Sequence, residues 1–224
     1  MKAEKKEFDR VYRNAIAKYG QDLIETYYKR GKTYLKLQDY DRAIKDFNTV
    51  LKLSPQNTKA YLIRGYTYGE MKLFHLEIAD YTEAIRLSPK LAKAYRSRGY
   101  AYGILQNYDK AIADFTRAIE LAPQYTQAYY NRGYTYNILE KHQKAIFDFT
   151  QVIKLSPDNV PAYYHRGSLY SLLEYHHQAL ADFTQVIRLD PNNIKAYSAR
   201  GNTNSILRNH HDAIIAYSQA ILLD

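Results

Sequence analysis

The chain has 224 residues, enough for one or two ordinary domains, and its 46% hydrophobic and 25% charged residues are those of a folded chain rather than a disordered one. It contains no cysteine, which excludes disulfides, thiol catalysis and thiolate metal sites. The net charge is +9, but the 32 basic residues are spread among 23 acids and cluster tightly only at Lys2, Lys5 and Lys6, so the excess reads as solvated surface and disfavours nucleic acid.

The N-terminus, MKAEKKEFDRVYRNAIAKYG, is charged and lacks the apolar core of a secretory signal. No apolar run approaches the length of a membrane span, so a cytoplasmic location without membrane contact is expected. Phe8, Val11, Tyr12, Ala15, Ile16 and Tyr19 form an apolar stripe at helical spacing. Residues 1–23 are accordingly expected to supply an N-terminal capping helix.

From there the chain repeats. Gly31, Gly65, Gly99, Gly133, Gly167 and Gly201 are each 34 residues apart, and Pro55, Pro89, Pro123, Pro157 and Pro191 keep the same period. A fixed period without insertions is the mark of stacked units that each contact only their neighbours. With the glycine at position 8, the units are 24–57, 58–91, 92–125, 126–159, 160–193 and 194–224.

Position 4 is Tyr in all six units (Tyr27, Tyr61, Tyr95, Tyr129, Tyr163, Tyr197), and position 11 is Tyr in five, with Asn204 in the last. Position 20 is Ala in five units, with Glu77 as the exception, and position 24 is always Phe or Tyr. Spacings 4, 8, 11 and 20, 24, 27 each lie on one helical face, so every unit reads as two helices joined by a turn near positions 15–17. Asp39, Asn107 and Asn209 suit the N-cap of the second helix, and the proline just beyond it forbids continuation.

These positions together resemble the tetratricopeptide repeat family, over residues 24–224 and six times in succession. The resemblance implies an all-α fold, an α-solenoid coiled as a right-handed superhelix, whose first helices line a concave groove. It also implies a protein that binds other proteins and has no catalytic activity of its own. The sixth unit stops at Asp224, leaving Ile214 and Ile221 uncovered, which is read as a piece of a longer array or as an end that self-associates.

Where the family usually has Leu, position 7 is Arg in every unit: Arg30, Arg64, Arg98, Arg132, Arg166 and Arg200. Position 23 is Asp in five: Asp46, Asp80, Asp114, Asp148 and Asp182, with Ala216 in the sixth. In an antiparallel pair turning near position 15 or 16, facing positions sum to about 31, which sets position 7 beside 23 or 24. An Arg–Asp pair inside each of the first five units is therefore expected, because a half-buried guanidinium needs a carboxylate. The competing geometry joins each Asp to the Arg of the following unit.

Six histidines, His75, His142, His176, His177, His210 and His211, fall at positions 17 or 18. Equivalent residues of stacked helices stand about 10 Å apart, too far to share a metal whose nitrogen ligands lie about 2 Å from it. Tyr40 and Tyr108 fill the same slot, so the rings are expected to pack, and no metal or cofactor is expected. Glu77, at the close contact of the two helices, either loosens its unit or turns outward.

The family's groove positions carry Tyr28, Lys59, Tyr66, Lys93, Arg96, Tyr100, Tyr130, Asn131, Tyr134, Tyr164 and His165. Tyrosine covers a large area at low entropic cost and still hydrogen-bonds, which suits a peptide groove. The basic rim favours a protein or peptide that is acidic or ends in a free C-terminal carboxylate. The two-carboxylate clamp of the subfamily that reads chaperone tails is not matched in any window. A nucleic-acid-binding protein, with bases stacked on the tyrosines, and a purely structural or oligomerising repeat protein are the alternative readings.

Overall fold

The computed structural model of the chain describes residues 20–223. Of the capping helix expected from residues 1–23, residues 1–19 lie outside the described residues, while residues 20–23 are part of the helix that continues to residue 36. All regular structure among the described residues is helical. After α1 (20–36) come α2 (Tyr40–Leu53), α3 (Thr58–Glu70), α4 (Phe74–Leu87), α5 (Ala92–Ile104), α6 (Tyr108–Leu121), α7 (Thr126–Ile138), α8 (His142–Leu155), α9 (Val160–Leu172), α10 (His176–Leu189), α11 (Ile194–Ile206) and α12 (His210–Leu222). No described helix is long and apolar enough to cross a membrane.

The chain forms two compact units, one ending at Lys110 and the other beginning at Ala111. In the first, α3 packs on α4, and α2·α3 and α4·α5 are the contacts between successive pairs. In the second, α7·α8, α9·α10 and α11·α12 are the pairs, joined through α8·α9 and α10·α11.

The turn inside each pair follows one design. Gln38, Lys72, Gln106, Glu140, Glu174 and Arg208 all take positive φ, between 56° and 61°. This left-handed residue lets two N–H groups bond back to the end of the first helix, as in Lys141 N–H to the Tyr136 carbonyl at 2.8 Å and Glu140 N–H to the Asn137 carbonyl at 2.9 Å. None of the six is glycine, so each such turn carries a cost of about 1 kcal/mol that the packed pair sustains.

Of the expected caps, Asp39 accepts from the Arg42 N–H at 3.3 Å, whereas Asn209 stands at the N-cap of α12 without a side-chain bond. The stronger caps begin first helices instead. Asn57, Asn159 and Asn193, two residues after a proline, each accept from a backbone N–H at 3.0 Å. At the other end of α2, Ser54 N–H still reaches the Val50 carbonyl at 2.8 Å, and Pro55 then ends the helix.

The core of each unit is the line of position-24 rings. Phe47 in the first unit, and Phe115, Phe149 and Phe183 in the second, are buried. The repeat glycine makes this possible: a Cβ on Gly31 would stand 2.8 Å from the Phe47 ring, and one on Gly133 would stand 3.0 Å from the Asp148 Cβ. A second line of fully buried small residues, Ala60, Ala94, Ala128, Ala162 and Ala196, belongs to the first helices. On α12, Ile214, Ile221 and Leu222 are largely exposed.

Candidate functional site

The arginine at position 7 organises the interior of each pair. Arg132 donates from Nε to Asp148 Oδ2 and from Nη2 to Asp148 Oδ1, both at 2.8 Å. The same two-pronged bond joins Arg30 to Asp46, Arg64 to Asp80 and Arg166 to Asp182. These pairs lie inside a repeat, as the facing-position argument expects, and not between an Asp and the next repeat's Arg.

The third nitrogen of the guanidinium crosses to the preceding repeat. Arg98 Nη1 donates to Thr82, Arg132 Nη1 to Thr116 and Arg166 Nη1 to Thr150, at 3.0–3.1 Å, and Arg64 Nη1 donates to Asn48. Each guanidinium also lies between the position-4 and position-11 tyrosines, with Arg132 5.7 Å from the Tyr129 ring centre and 5.9 Å from that of Tyr136. One side chain thus ties its own helix, the second helix of its repeat and the second helix of the repeat before.

Burial pushes the Asp148 carboxyl above its ordinary value, opposed by the bonds from Arg132. On Arg132 burial is the largest single influence and acts downward, but the Asp148 bonds and charge together prevail and raise the guanidinium. In the last repeat Ala216 stands where the others have Asp, and Arg200 lies over Tyr197, at 5.4 Å. Arg64, Arg132 and Arg166 are held inside the fold by their carboxylates rather than offered to a ligand.

The expected groove residues fall into two classes of exposure. In the first unit, Lys59, Tyr66, Lys93 and Tyr100 are exposed, while Tyr28 and Arg96 are half-buried. Tyr28 leans on Phe47 with ring centres 6.1 Å apart. Arg96 lies 5.8 Å from the Tyr100 ring, and its Nε is buried without a hydrogen-bond partner.

In the second unit Tyr134 is exposed, while Tyr130, Asn131, Tyr164 and His165 are half-buried. His165 stacks on Phe149 at 5.4 Å and meets Tyr130, Tyr134 and Tyr164 edge-on at 5.7–6.2 Å. Burial in this aromatic cluster lowers the His165 pKa, which keeps the ring neutral at physiological pH. The Asn131 side-chain nitrogen is buried without a partner. Each unit therefore shows a tyrosine standing clear of a more deeply seated base or aromatic cluster.

Glu77 does not turn outward. It is 6% exposed and lines a cavity of about 500 Å³ in the first unit, with Tyr66, Gly69, Glu70, Arg96 and Tyr100 among the walls. Gly69 makes the room, since a Cβ there would stand 2.9 Å from the Glu77 carboxyl. Burial is the main force on this group and pushes its pKa to about 7, against the pull of Arg96. Among the described residues no three His, Cys, Asp or Glu side chains come together to hold a metal ion.

Tetratricopeptide repeat profiles match residues 24–57, 92–125 and 126–159, and a second profile of the same repeat matches 58–91 and 160–193. No curated protein matches the sequence as a whole. Among solved structures, MamA superposes with a TM-score of 0.70 at 28% identity, covering 74% of this chain and 96% of that one. YrrB, described as a TPR protein with an unusual peptide-binding site, gives 0.71 at 20% identity over 80% and 92% of the two chains. PilF of Pseudomonas aeruginosa gives 0.74 at 14% identity over 88% and 89%. At their identities YrrB and PilF speak to fold alone. With the profile matches running unbroken from residue 24 to residue 193, the chain belongs to the tetratricopeptide repeat family.

Proposed function

We propose that the chain is a non-enzymatic scaffold that holds a segment of another protein against the first helices of its repeats. The observation that carries this reading is the exposure of Tyr66 (50%) and Tyr100 (49%) in the first unit and Tyr134 (46%) in the second, all at the same repeat position. A tyrosine has a large apolar body, and repeating it half-exposed at one register leaves a surface that gains by being covered. Exposed Lys59 and Lys93, two turns before Tyr66 and Tyr100 on α3 and α5, favour a segment with acidic residues or a free C-terminal carboxylate. The peptide-binding site attributed to YrrB agrees with this use of the fold.

The test compares capture by the wild-type chain with capture by a Tyr100→Ala, Tyr134→Ala double variant and by Phe147→Ala, which alters an exposed ring on a second helix. The proposal expects one protein to be retained by wild type and by Phe147→Ala and lost from the double variant. Equal retention by all three would refute it, and so would retention of nucleic acid alone at physiological salt.

A second reading, self-association, is favoured by α12, where Ile214 is 64%, Ile221 76% and Leu222 77% exposed. It predicts a concentration-dependent sedimentation coefficient that Ile221→Lys abolishes. A sedimentation coefficient that stays constant up to about 100 µM, well above the micromolar affinity of an ordinary interface, would exclude it.

A further inference from the structure

The cavity around Glu77 is not a repeating feature of the array. Glu77 stands where five repeats have Ala, and Arg96 is the one arginine at its repeat position. Both line the same space between α3, α4 and α5. Two departures from the pattern thus converge on one site that the fold does not require.

Tyr66 interacts with Glu70, and Tyr81 with Ser97. Arg96 Nε is buried without a hydrogen-bond partner. Glu77 is 6% exposed as a residue, and its carboxyl oxygens, which still reach the cavity, accept no hydrogen bond among the described residues. Buried polar atoms are seldom left so, since each carries the cost of lost hydration. The site therefore offers an unpaired donor at Arg96 Nε and an acceptor at Glu77, flanked by the rings of Tyr66 and Tyr100.

Acidic and basic groups are mixed around it, Glu70 and Glu77 facing Lys72 and Arg96 across the same space, so neither sign dominates. Such a site does not select a strong cation or a strong anion. It suits a neutral group that accepts on one side and donates on the other. A primary carboxamide does this with a single planar unit, its carbonyl taking the Arg96 N–H and its NH2 giving to Glu77. Glu77 is 6% exposed, so a side chain is better suited than a main chain to reach it.

We infer that this cavity is a pocket for a glutamine or asparagine side chain of the bound protein segment. The inference rests on the proposed peptide-binding function and gives it one specificity. Glu77 and Arg96 fix the amide, Gly69 keeps the space open, and Tyr66 and Tyr100 cover the aliphatic stem.

The test needs no partner. The full chain is titrated with N-acetylglutamine methylamide and followed by proton–nitrogen NMR, beside the alanine, lysine and glutamate analogues. The glutamine compound is expected to give saturable shifts at Gly69, Glu77 and Ser97, and to bind about tenfold more tightly than the alanine analogue. Glu77→Ala, which installs the residue five other repeats carry, is expected to remove that preference while leaving the helical spectrum and a cooperative melt intact. Tighter binding of the lysine or glutamate compound would overturn the inference, as would an unchanged preference in Glu77→Ala or the absence of saturable shifts. Because the readout is a small molecule, the pocket can fail while the Tyr100→Ala, Tyr134→Ala comparison still supports the scaffold. Conversely, failure of that comparison with the glutamine preference intact would sink the scaffold and leave a pocket without it.

Discussion

Replacing Asp148 with alanine is expected to destabilise the second unit by about 3–5 kcal/mol and to lower its melting temperature by on the order of 10 °C. Asp148 is fully buried, and its side chain and that of Arg132 are 1% and 13% exposed. The truncation leaves a guanidinium desolvated between two tyrosines, with Thr116 as its remaining hydrogen-bond partner. The cost is that of an uncompensated buried charge and not the net worth of the pair. A double variant, Asp148→Ala with Arg132→Leu, should therefore recover most of the loss, to within about 1.5 kcal/mol of wild type. Chemical denaturation followed by circular dichroism measures both. A loss under about 1 kcal/mol for the single variant would mean that the pair behaves as a surface ion pair. A double variant as unstable as the single would assign the effect to packing.

Glu77→Ala is expected to act in the opposite direction, stabilising the first unit above pH 7. An acid whose pKa rises from 4.5 to about 7 on folding binds more protons folded than unfolded in that interval. Stability then falls as pH rises from about 4.5 to 7 and is level above, where the folded protein bears the whole penalty. The full displacement corresponds to about 3 kcal/mol, and solvent entering the cavity reduces it to roughly 2. The variant should gain roughly 1–2 kcal/mol at pH 8, gain almost nothing at pH 4, and lose the slope between them. A gain that is the same at both pH values would show that the carboxyl is not held away from water. The wild-type residue is thus a local cost to the fold, which is what a site kept for a ligand looks like.

The frame of the molecule was legible because it recurs. A glycine every 34 residues, with aromatic positions at helical spacing on either side of a turn, defines the helix pairs without reference to any contact. The Arg–Asp pairs could be read for the same reason, since antiparallel geometry alone places position 7 beside position 23. What a one-dimensional pattern does not carry is the third direction. Thr82, Thr116 and Thr150 receive the outer arginine nitrogen from the next repeat, and nothing in the spacing within one repeat points to them. The position-4 and position-11 tyrosines look like plain packing residues, yet they clasp the guanidinium.

Other features carry a local signal in the sequence. The Asn two residues after the proline, in Asn57, Asn159 and Asn193, is an N-cap signature, and the buried alanines of the first helices recur at position 3. Glu77 was ambiguous because the outcome depends on Gly69, the residue that opens space for it. Among the groove residues, sequence separates exposed from seated ones poorly. Tyr130 and Tyr134 are four residues apart on one helix, but only Tyr130 meets Phe149, at 5.7 Å.

The central claim is that the face bearing Tyr134 meets another protein. It is tested most directly by a photo-crosslinking phenylalanine derivative placed at residue 134 of the full chain and, for comparison, at residue 147. Both positions carry exposed rings, Tyr134 at 46% and Phe147 at 58%, so reactivity with solvent-borne bystanders is matched. A discrete adduct is expected at residue 134, on a single protein, with the crosslinked peptide identifiable by mass, and none at residue 147. Adducts at residue 147 alone, or the same diffuse set from both, would contradict it.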